Sequence, residues 1–307
     1  MAAIEIDGVT KRYGDVVAVR DLSFEVEEGE VFGFLGPNGA GKSTTINMLL
    51  DFVRPTEGEV RVLGYDTHDE SVAVRERIGV LPEGFSVYDR LTGRQHLEFA
   101  IESKDVDDDP DAILERVGLS SEDGDRKAGG YSKGMAQRLV LGMALVGNPD
   151  LLILDEPSTG LDPQGARQMR DIVREEASRG ATVFFSSHIL GQVEAVCDRV
   201  GILRDGQLVA EDSIEGLRET TSADTVLDIT ADDVSQQAVA DVAALDGVSE
   251  VTRSGDTLQV SCESGAKTTV LTTLEEAGVD VQDFETEEAS LEDLFMAYTT
   301  DEQEVKA

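Results

Sequence analysis

Eight consecutive residues, Gly36-Pro37-Asn38-Gly39-Ala40-Gly41-Lys42-Ser43, followed by Thr44, have the spacing GxxxxGK[ST] of a phosphate cradle. Glycines let backbone N–H groups turn inward around anionic oxygens. A helix starting at the end of the cradle adds partial positive charge. Lys42 can neutralise charge on the outer phosphates of a nucleotide, and the Ser43 hydroxyl suits a magnesium ion. A second stretch, Leu151-Leu152-Ile153-Leu154-Asp155-Glu156, runs four apolar residues into two carboxylates. At the carboxyl end of a buried strand beside the cradle, Asp155 would hold magnesium, directly or through water. Glu156 would polarise an attacking water, since phosphoanhydride hydrolysis is mainly positioning and charge stabilisation. Taken alone, Asp155 and Glu156 read equally well as a capping pair ahead of Pro157; the cradle upstream favours chemistry.

These side chains need elements to hold them. Val31–Leu35, Ile78–Leu81, Leu151–Leu154 and Thr182–Phe185 are compact apolar runs, the pattern of parallel strands covered on both faces. Ile4–Ile6, Val16–Val19, Ser23–Val26 and Glu59–Val62 alternate more and suggest an antiparallel part. Val200–Leu203 and Gln207–Ala210 flank Asp205-Gly206, a hairpin signal. Ser43–Leu50 and Met135–Val146 read as helices. The composition turns polar at Leu217–Asp224, where a linker is expected. Beyond it comes strand Thr225–Ile229, helix Ser235–Leu245, strands Val248–Thr252 and Thr257–Ser261, helix Lys267–Ala277 and strand Val279–Phe284. That βαββαβ order predicts a ferredoxin-like module. Ser290–Tyr298 carries apolar residues at helical spacing, and Asp105–Asp109 and Glu122–Asp125 read as solvated acidic loops.

Bulk properties narrow the function further. The 307 residues hold 26 Lys and Arg against 63 Asp and Glu, a net charge of −37. Such a chain repels phosphate backbones, so nucleic acid is not expected as a partner. Lysines number seven and tryptophan is absent, a composition resembling that of proteins from salt-accumulating halophiles, haloarchaea among them, with an ordinary acidic cytosolic protein as the alternative. Dense carboxylates keep a surface hydrated where molar salt screens their repulsion. Cys197 and Cys262 stand apart with no CxxC pair, which argues against zinc and fits a reducing compartment. No signal peptide is evident, and no apolar run reaches the length of a membrane span.

Three further stretches complete a pattern. Tyr131-Ser132-Lys133-Gly134-Met135 precedes the Asp155 strand, Gly160-Leu161-Asp162 follows it, and His188 closes the next strand. In this order and spacing, from about Ile4 to Leu217, the chain strongly resembles the ATP-binding subunit of an ABC transporter. The resemblance implies an α/β P-loop NTPase fold: an ABC-type nucleotide-binding domain with a mixed sheet and a helical subdomain, spanning residues 1–220. A small C-terminal α+β, ferredoxin-like module would span 221–298, and a flexible tail 299–307. Gly36–Thr44 then corresponds to Walker A, Leu151–Glu156 to Walker B, Ser132–Met135 to the signature loop, Asp162 to the D-loop and His188 to the switch histidine. Tyr13 corresponds to the aromatic residue that stacks on adenine, although a lone tyrosine or histidine in such places often only packs or caps.

The resemblance carries consequences for partners. ATP and Mg2+ are implied, with Glu156, His188 and Lys42 catalytic and Ser43, Glu83 and Asp155 toward the metal. Each P-loop would be closed by the signature loop of a second copy, in a head-to-tail homodimer. A separate multi-span permease at the inner face of the membrane would carry the cargo, and Ser187–Leu190, Ser290–Met296 and the C-terminal module point to the ABC-2 drug- or polysaccharide-exporting branch. The alternative is a soluble ABC-type switch uncoupled from transport. Two departures stand out: Tyr-Ser-Lys-Gly-Met replaces the common LSGGQ, and Pro82-Glu83 stands where the family usually has Pro-Gln. After Glu83, Gly84-Phe85-Ser86-Val87-Tyr88 reads either as a surface loop that receives a permease helix or as a loop facing the core.

Overall fold

The computed structural model describes residues 1–220, 225–232, 234–254, 257–262 and 264–287. The chain separates into two compact units, Met1–Ser213 and Ile214–Ala307. In order, the first unit contains β1 (Ala2–Tyr13), β2 (Val16–Glu27), β3 (Val31–Leu35), α1 (Lys42–Leu49), β4 (Glu57–Val62), β5 (Tyr65–Asp66), α2 (Ser71–Arg77) and β6 (Ile78–Leu81). Then follow α3 (Gly93–Lys104), α4 (Pro110–Arg116), α5 (Ser121–Asp125), α6 (Lys133–Leu145), β7 (Leu151–Asp155), α7 (Pro163–Ser178), β8 (Thr182–Ser187), α8 (Leu190–Glu194), β9 (Arg199–Arg204) and β10 (Gln207–Ser213).

A six-stranded sheet runs β10-β9-β3-β8-β7-β6. All its pairs are parallel except β9–β10. Every residue of β3, β7 and β8 is buried, which is why their sequences are nearly unbroken apolar runs. A second, antiparallel sheet, β2-β1-β4-β5, shares one core with it. Phe24 of β2 stacks on Phe32 and Phe34 of β3, with centroids 5.5 Å apart in each pair, and on Phe184 of β8 at 6.2 Å. Such pairs add about 0.5–1.5 kcal/mol each beyond their buried area. This aromatic wedge fixes β3, and therefore the start of the cradle, against the second sheet.

Differences from the sequence expectations have local causes. Val16–Val19 and Ser23–Val26 belong to one strand, β2, whose pairing with β1 shifts register several times. Glu122–Asp125 is helical rather than loop, because Ser120 and Asp123 form a reciprocal capping box at its start. The strand bearing Asp155 is not next to β3: β8 lies between them. Asp205-Gly206 makes the expected hairpin, with positive φ at both residues.

The second unit contains α9 (Ile214–Thr220), β11 (Thr225–Asp232), α10 (Gln236–Ala243), β12 (Val248–Ser254), β13 (Thr257–Cys262), α11 (Lys267–Glu276) and β14 (Asp280–Glu287). Its antiparallel sheet, ordered β12-β13-β11-β14, is the ferredoxin-like arrangement. Leu227, Ile229, Leu258 and Val260 pack under Val242, Val270 and Leu274 of the two helices. Helix α9 occupies the first part of the expected linker, and the compact units divide at 213/214 where the sequence suggests 220/221. Ser290–Tyr298 and the tail 299–307 lie outside the described residues.

Candidate functional site

Parallel strands bring their carboxyl ends to one edge of the sheet, where α/β proteins form their crevices. Here β3 leads into the cradle, β6 into Glu83, β7 ends at Asp155 and β8 at Ser187. A pocket of about 320 Å³ at that edge is lined by Pro37, Asn38, Gly39, Gly41, Lys42, Ser43, Thr44, Glu83, Asp155 and Glu156. Gly36 and Ala40 shape its base from behind. A Cβ on Gly36 would come 2.5 Å from the Leu203 carbonyl oxygen, so only glycine fits the close approach of β9. Ala40 is buried and its carbonyl accepts from the Gly206 N–H at 2.9 Å.

Lys42 opens α1 and is itself buried. Its Nζ donates to the carbonyl oxygens of Gly36 at 2.6 Å and Pro37 at 3.4 Å, so the lysine closes the loop over which it sits. Burial draws its ammonium below the ordinary lysine range, opposed by Glu156, Asp155 and Glu83. Ser43 Oγ donates to Glu83 Oε2 across 3.5 Å. Burial raises the Asp155 carboxyl above its ordinary value; the Ser186 hydroxyl, which donates to Asp155 Oδ1, opposes that, and the charges of Glu83 and Glu156 add to it.

Glu156 has a left-handed backbone, φ +49°, and is buried. Its N–H reaches the backbone oxygen and Oγ of Ser186, each at 3.2 Å. Its Oε2 lies 2.8 Å from Nδ1 of His188, which is half exposed. A carboxylate that lines the pocket is thus joined to an imidazole. Ser186, from the strand inserted between β3 and β7, touches both carboxylate residues. Sequence reading gives it no role, and its only signal is its position two residues before His188.

Not all expected residues meet here. Ser132 caps α6, its Oγ accepting from the Met135 N–H at 3.2 Å. With Lys133 it lines a second cavity of about 650 Å³, which also reaches Glu83, Asp155 and Glu156. Gly134, the second residue of α6, lies close to the Gly160 carbonyl, and Met135 Sδ accepts from Arg126 at 3.0 Å. Asp162 caps α7 by accepting from the Gly165 N–H at 2.8 Å. Tyr13 stands at the β1–β2 hairpin tip, half exposed, with Lys11 Nζ 5.1 Å from its ring centre. None of these signature, D-loop or Tyr13 side chains lines the phosphate pocket of its own chain.

The chain is similar to several known proteins. The profile of the ABC transporter family matches residues 19–159. A profile for the C-terminal domain of DrrA1-3-like ATP-binding proteins matches residues 213–299. The daunorubicin resistance ATP-binding protein DrrA3 of Streptomyces coeruleorubidus is 34% identical over 313 residues, covering 99% of this chain and 98% of its own. The linearmycin resistance ATP-binding protein LnrL of Bacillus subtilis is 32% identical over 96% of this chain and 98% of its own. A dimeric, post-hydrolysis structure of the ATP-binding cassette MJ0796 bound to ADP and Pi is similar over 69% of this chain and 98% of that one, at 25% identity and a TM-score of 0.64. Because the likeness to DrrA3 and LnrL runs the whole length of each chain, this chain belongs to the ABC transporter family, as an ATP-hydrolysing, ATP-binding subunit of the DrrA type.

Proposed function

We propose that this subunit drives export of a drug-like molecule through a separate multi-span membrane permease, by closing and reopening a homodimer around ATP; the names of the relatives DrrA3 and LnrL support the cargo class. Among the described residues no helix is long and apolar enough to cross a membrane. The separate permease is supported by the full-length likeness to the ATP-binding proteins DrrA3 and LnrL. The observation that carries the dimer is the pocket lining: the cradle faces Glu83, Asp155 and Glu156 of its own chain and no signature residue. A signature loop from a second copy would supply the missing donors, as α6 begins at Lys133 and the positive end of its dipole would face an anion there. The MJ0796 cassette, dimeric with ADP and Pi, supports that arrangement.

The residues present fit Mg2+. Ser43, Glu83 and Asp155 form a hard, all-oxygen set, yet no cluster of three or more His, Cys, Asp or Glu capable of caging a metal occurs among the described residues. That suits an ion held by one or two carboxylates and a hydroxyl, plus substrate phosphates. When bound, magnesium would neutralise charge on the outer phosphates. Lys42 would bind the same phosphates, Glu156 would accept the proton of the attacking water, and His188 would hold Glu156 in place. Tyr13 would offer its ring to the adenine. The second unit would support the dimer, and the carboxylate-dense surface suits a salt-rich cytoplasm such as a haloarchaeon's, with the subunit on the inner face of its membrane.

Glu156→Gln tests the scheme. Turnover should fall by about 10²–10⁴-fold, the usual contribution of a positioned base, while ATP binding persists. In light scattering the variant should be a dimer with ATP and a monomer without it. A variant that stays monomeric under saturating ATP would end the proposal. The same assay on a chain ending near Leu217 reads the second unit's part, since undiminished dimerisation would remove its supporting role.

A further inference from the structure

Gln137 lies in the first turns of α6, is 2% exposed, and donates from Nε2 to the Pro157 carbonyl at 2.8 Å. Pro157 directly follows Glu156, whose φ of +49° is unusual for a residue with a side chain. A residue ahead of proline is pushed toward extended backbone, so this conformation runs against two preferences at once. Such a backbone persists only where its surroundings hold it from several sides. Ser186 holds the N–H of Glu156, and the Thr159 N–H donates to the Glu156 carbonyl at 3.1 Å. Gln137 supplies the remaining hold, on the next peptide along. Two neighbours on α6 reach the same loop: the stem of Lys133 lies over Gly160, where an added Cβ would come 2.7 Å from Cδ, and Arg138 Nη2 sits 3.6 Å from Asp162 Oδ1.

We propose that Gln137 is a positioning residue for Glu156: by clamping the Pro157 carbonyl it fixes the backbone that aims the carboxylate, and it ties the signature helix to this chain's own base. The inference rests on the reading of Glu156 as the base and adds a physical link to it. The signature loop would engage the nucleotide held by the partner copy, while Gln137, one turn further along the same helix, steadies the base acting on the nucleotide at home. A burial role alone would not produce that link, because an apolar side chain of equal length fills the same space without gripping a carbonyl.

The test uses the full chain and the variant Gln137→Met, which keeps length and removes the donor. Steady-state kcat should fall about tenfold or more, with the KM for ATP within about twofold, the mark of an interaction that matters after binding. In a Glu156→Gln background, single-turnover hydrolysis of trapped ATP should change by less than about twofold on adding Gln137→Met, because the positioned group is already gone. Equal losses in both backgrounds, or a raised KM with kcat intact, would overturn the inference. Gln137→Glu, of the same shape but an acceptor when ionised, is the second variant; should neither fold, as judged by thermal unfolding, Gln137 is a packing residue and the idea fails. A wild-type chain without turnover would sink the functional reading itself, which keeps the two failures apart.

Discussion

Three carboxylates, Glu83, Asp155 and Glu156, share one pocket with the Lys42 ammonium. An ABC-type site ordinarily has glutamine at the first of these positions, so this chain adds a negative charge next to Ser43. The added charge works in two directions. It helps keep Lys42 protonated against burial, and it helps raise the Asp155 carboxyl. With a divalent cation bound alongside ATP, Glu83 would stand beside Asp155 as a second anionic oxygen ligand, and the repulsion between the carboxylates would be offset. Glu83→Gln should therefore keep ATP hydrolysis but shift the Mg2+ titration to higher concentration, by roughly tenfold for the loss of one charged ligand in a partly solvated site. Nucleotide affinity measured with a fluorescent analogue across the same titration separates metal from catalytic effects, and an unchanged midpoint counts against the idea. Most of this chemistry is visible in the sequence because phosphate contacts use local runs: Gly36–Thr44 and Leu151–Glu156 announce themselves. Ser186 and Gln137 do not, because each acts across the fold on a backbone or carboxylate far away in sequence, 31 residues in the Ser186–Asp155 bond and 20 in the Gln137–Pro157 bond.

Elements with strong periodicity or strong turn chemistry were the legible ones. The buried strands β3, β6, β7 and β8 declare themselves by solid apolar runs, and the β9–β10 hairpin by Asp205-Gly206. The helices α3 to α5 are harder, since their short amphipathic stretches are diluted by acidic residues and depend on caps such as Thr92 and Ser120. Sheet order is harder still: nothing local to β8 says that it inserts between β3 and β7. The loop after β6 joins the legible to the hidden. Its Tyr88 is 70% exposed, and with Phe99 of α3, Leu91 and Met143 of α6 it lines an open groove. His96 sets the loop from below, Nε2 accepting from the Tyr88 N–H at 2.9 Å and Nδ1 donating to the Thr92 carbonyl at 2.7 Å. Phe85 lines both the adjoining part of this groove and the cavity of the carboxylates. If a permease helix docks here, Tyr88→Asp and Phe85→Asp should each weaken co-purification with the permease by about tenfold or more, as expected for loss of an aromatic interface anchor. Tyr88→Asp should leave ATP binding untouched because it lines no part of the phosphate pocket. Joint loss of nucleotide and permease binding in Tyr88→Asp would show a structural loop instead of a docking surface.

At the scale of the molecule the dominant quantity is the charge of −37, carried by two units that each have their own core. Opposite effects of salt compete. Exposed ion pairs such as Arg77–Asp150 and Arg174–Asp171 weaken as ions screen them, but such pairs are worth only about 0–1 kcal/mol each. Pairs with a buried member, such as Glu176 with Arg116 and Arg179, are screened far less. Against these small losses stands the mutual repulsion of 63 acidic side chains facing 26 basic ones. The Debye length falls from about 8 Å at physiological ionic strength to about 3 Å at 1 M. Repulsion is long-ranged and summed over the surface, so its relief should outweigh the lost pairs. The melting temperature should accordingly rise with KCl between about 0.15 M and about 2 M, and the ATP-bound dimer of Glu156→Gln should tighten over the same range, because two strongly negative copies must approach. Sucrose favours burial by exclusion without screening, so at matched osmolality it should raise the melting temperature less than KCl does. A melting temperature that stays flat or falls in KCl, or a sucrose effect equal to the salt effect, would mean that the carboxylates are not what adapts this chain, and the salt-rich cytoplasm would go with them.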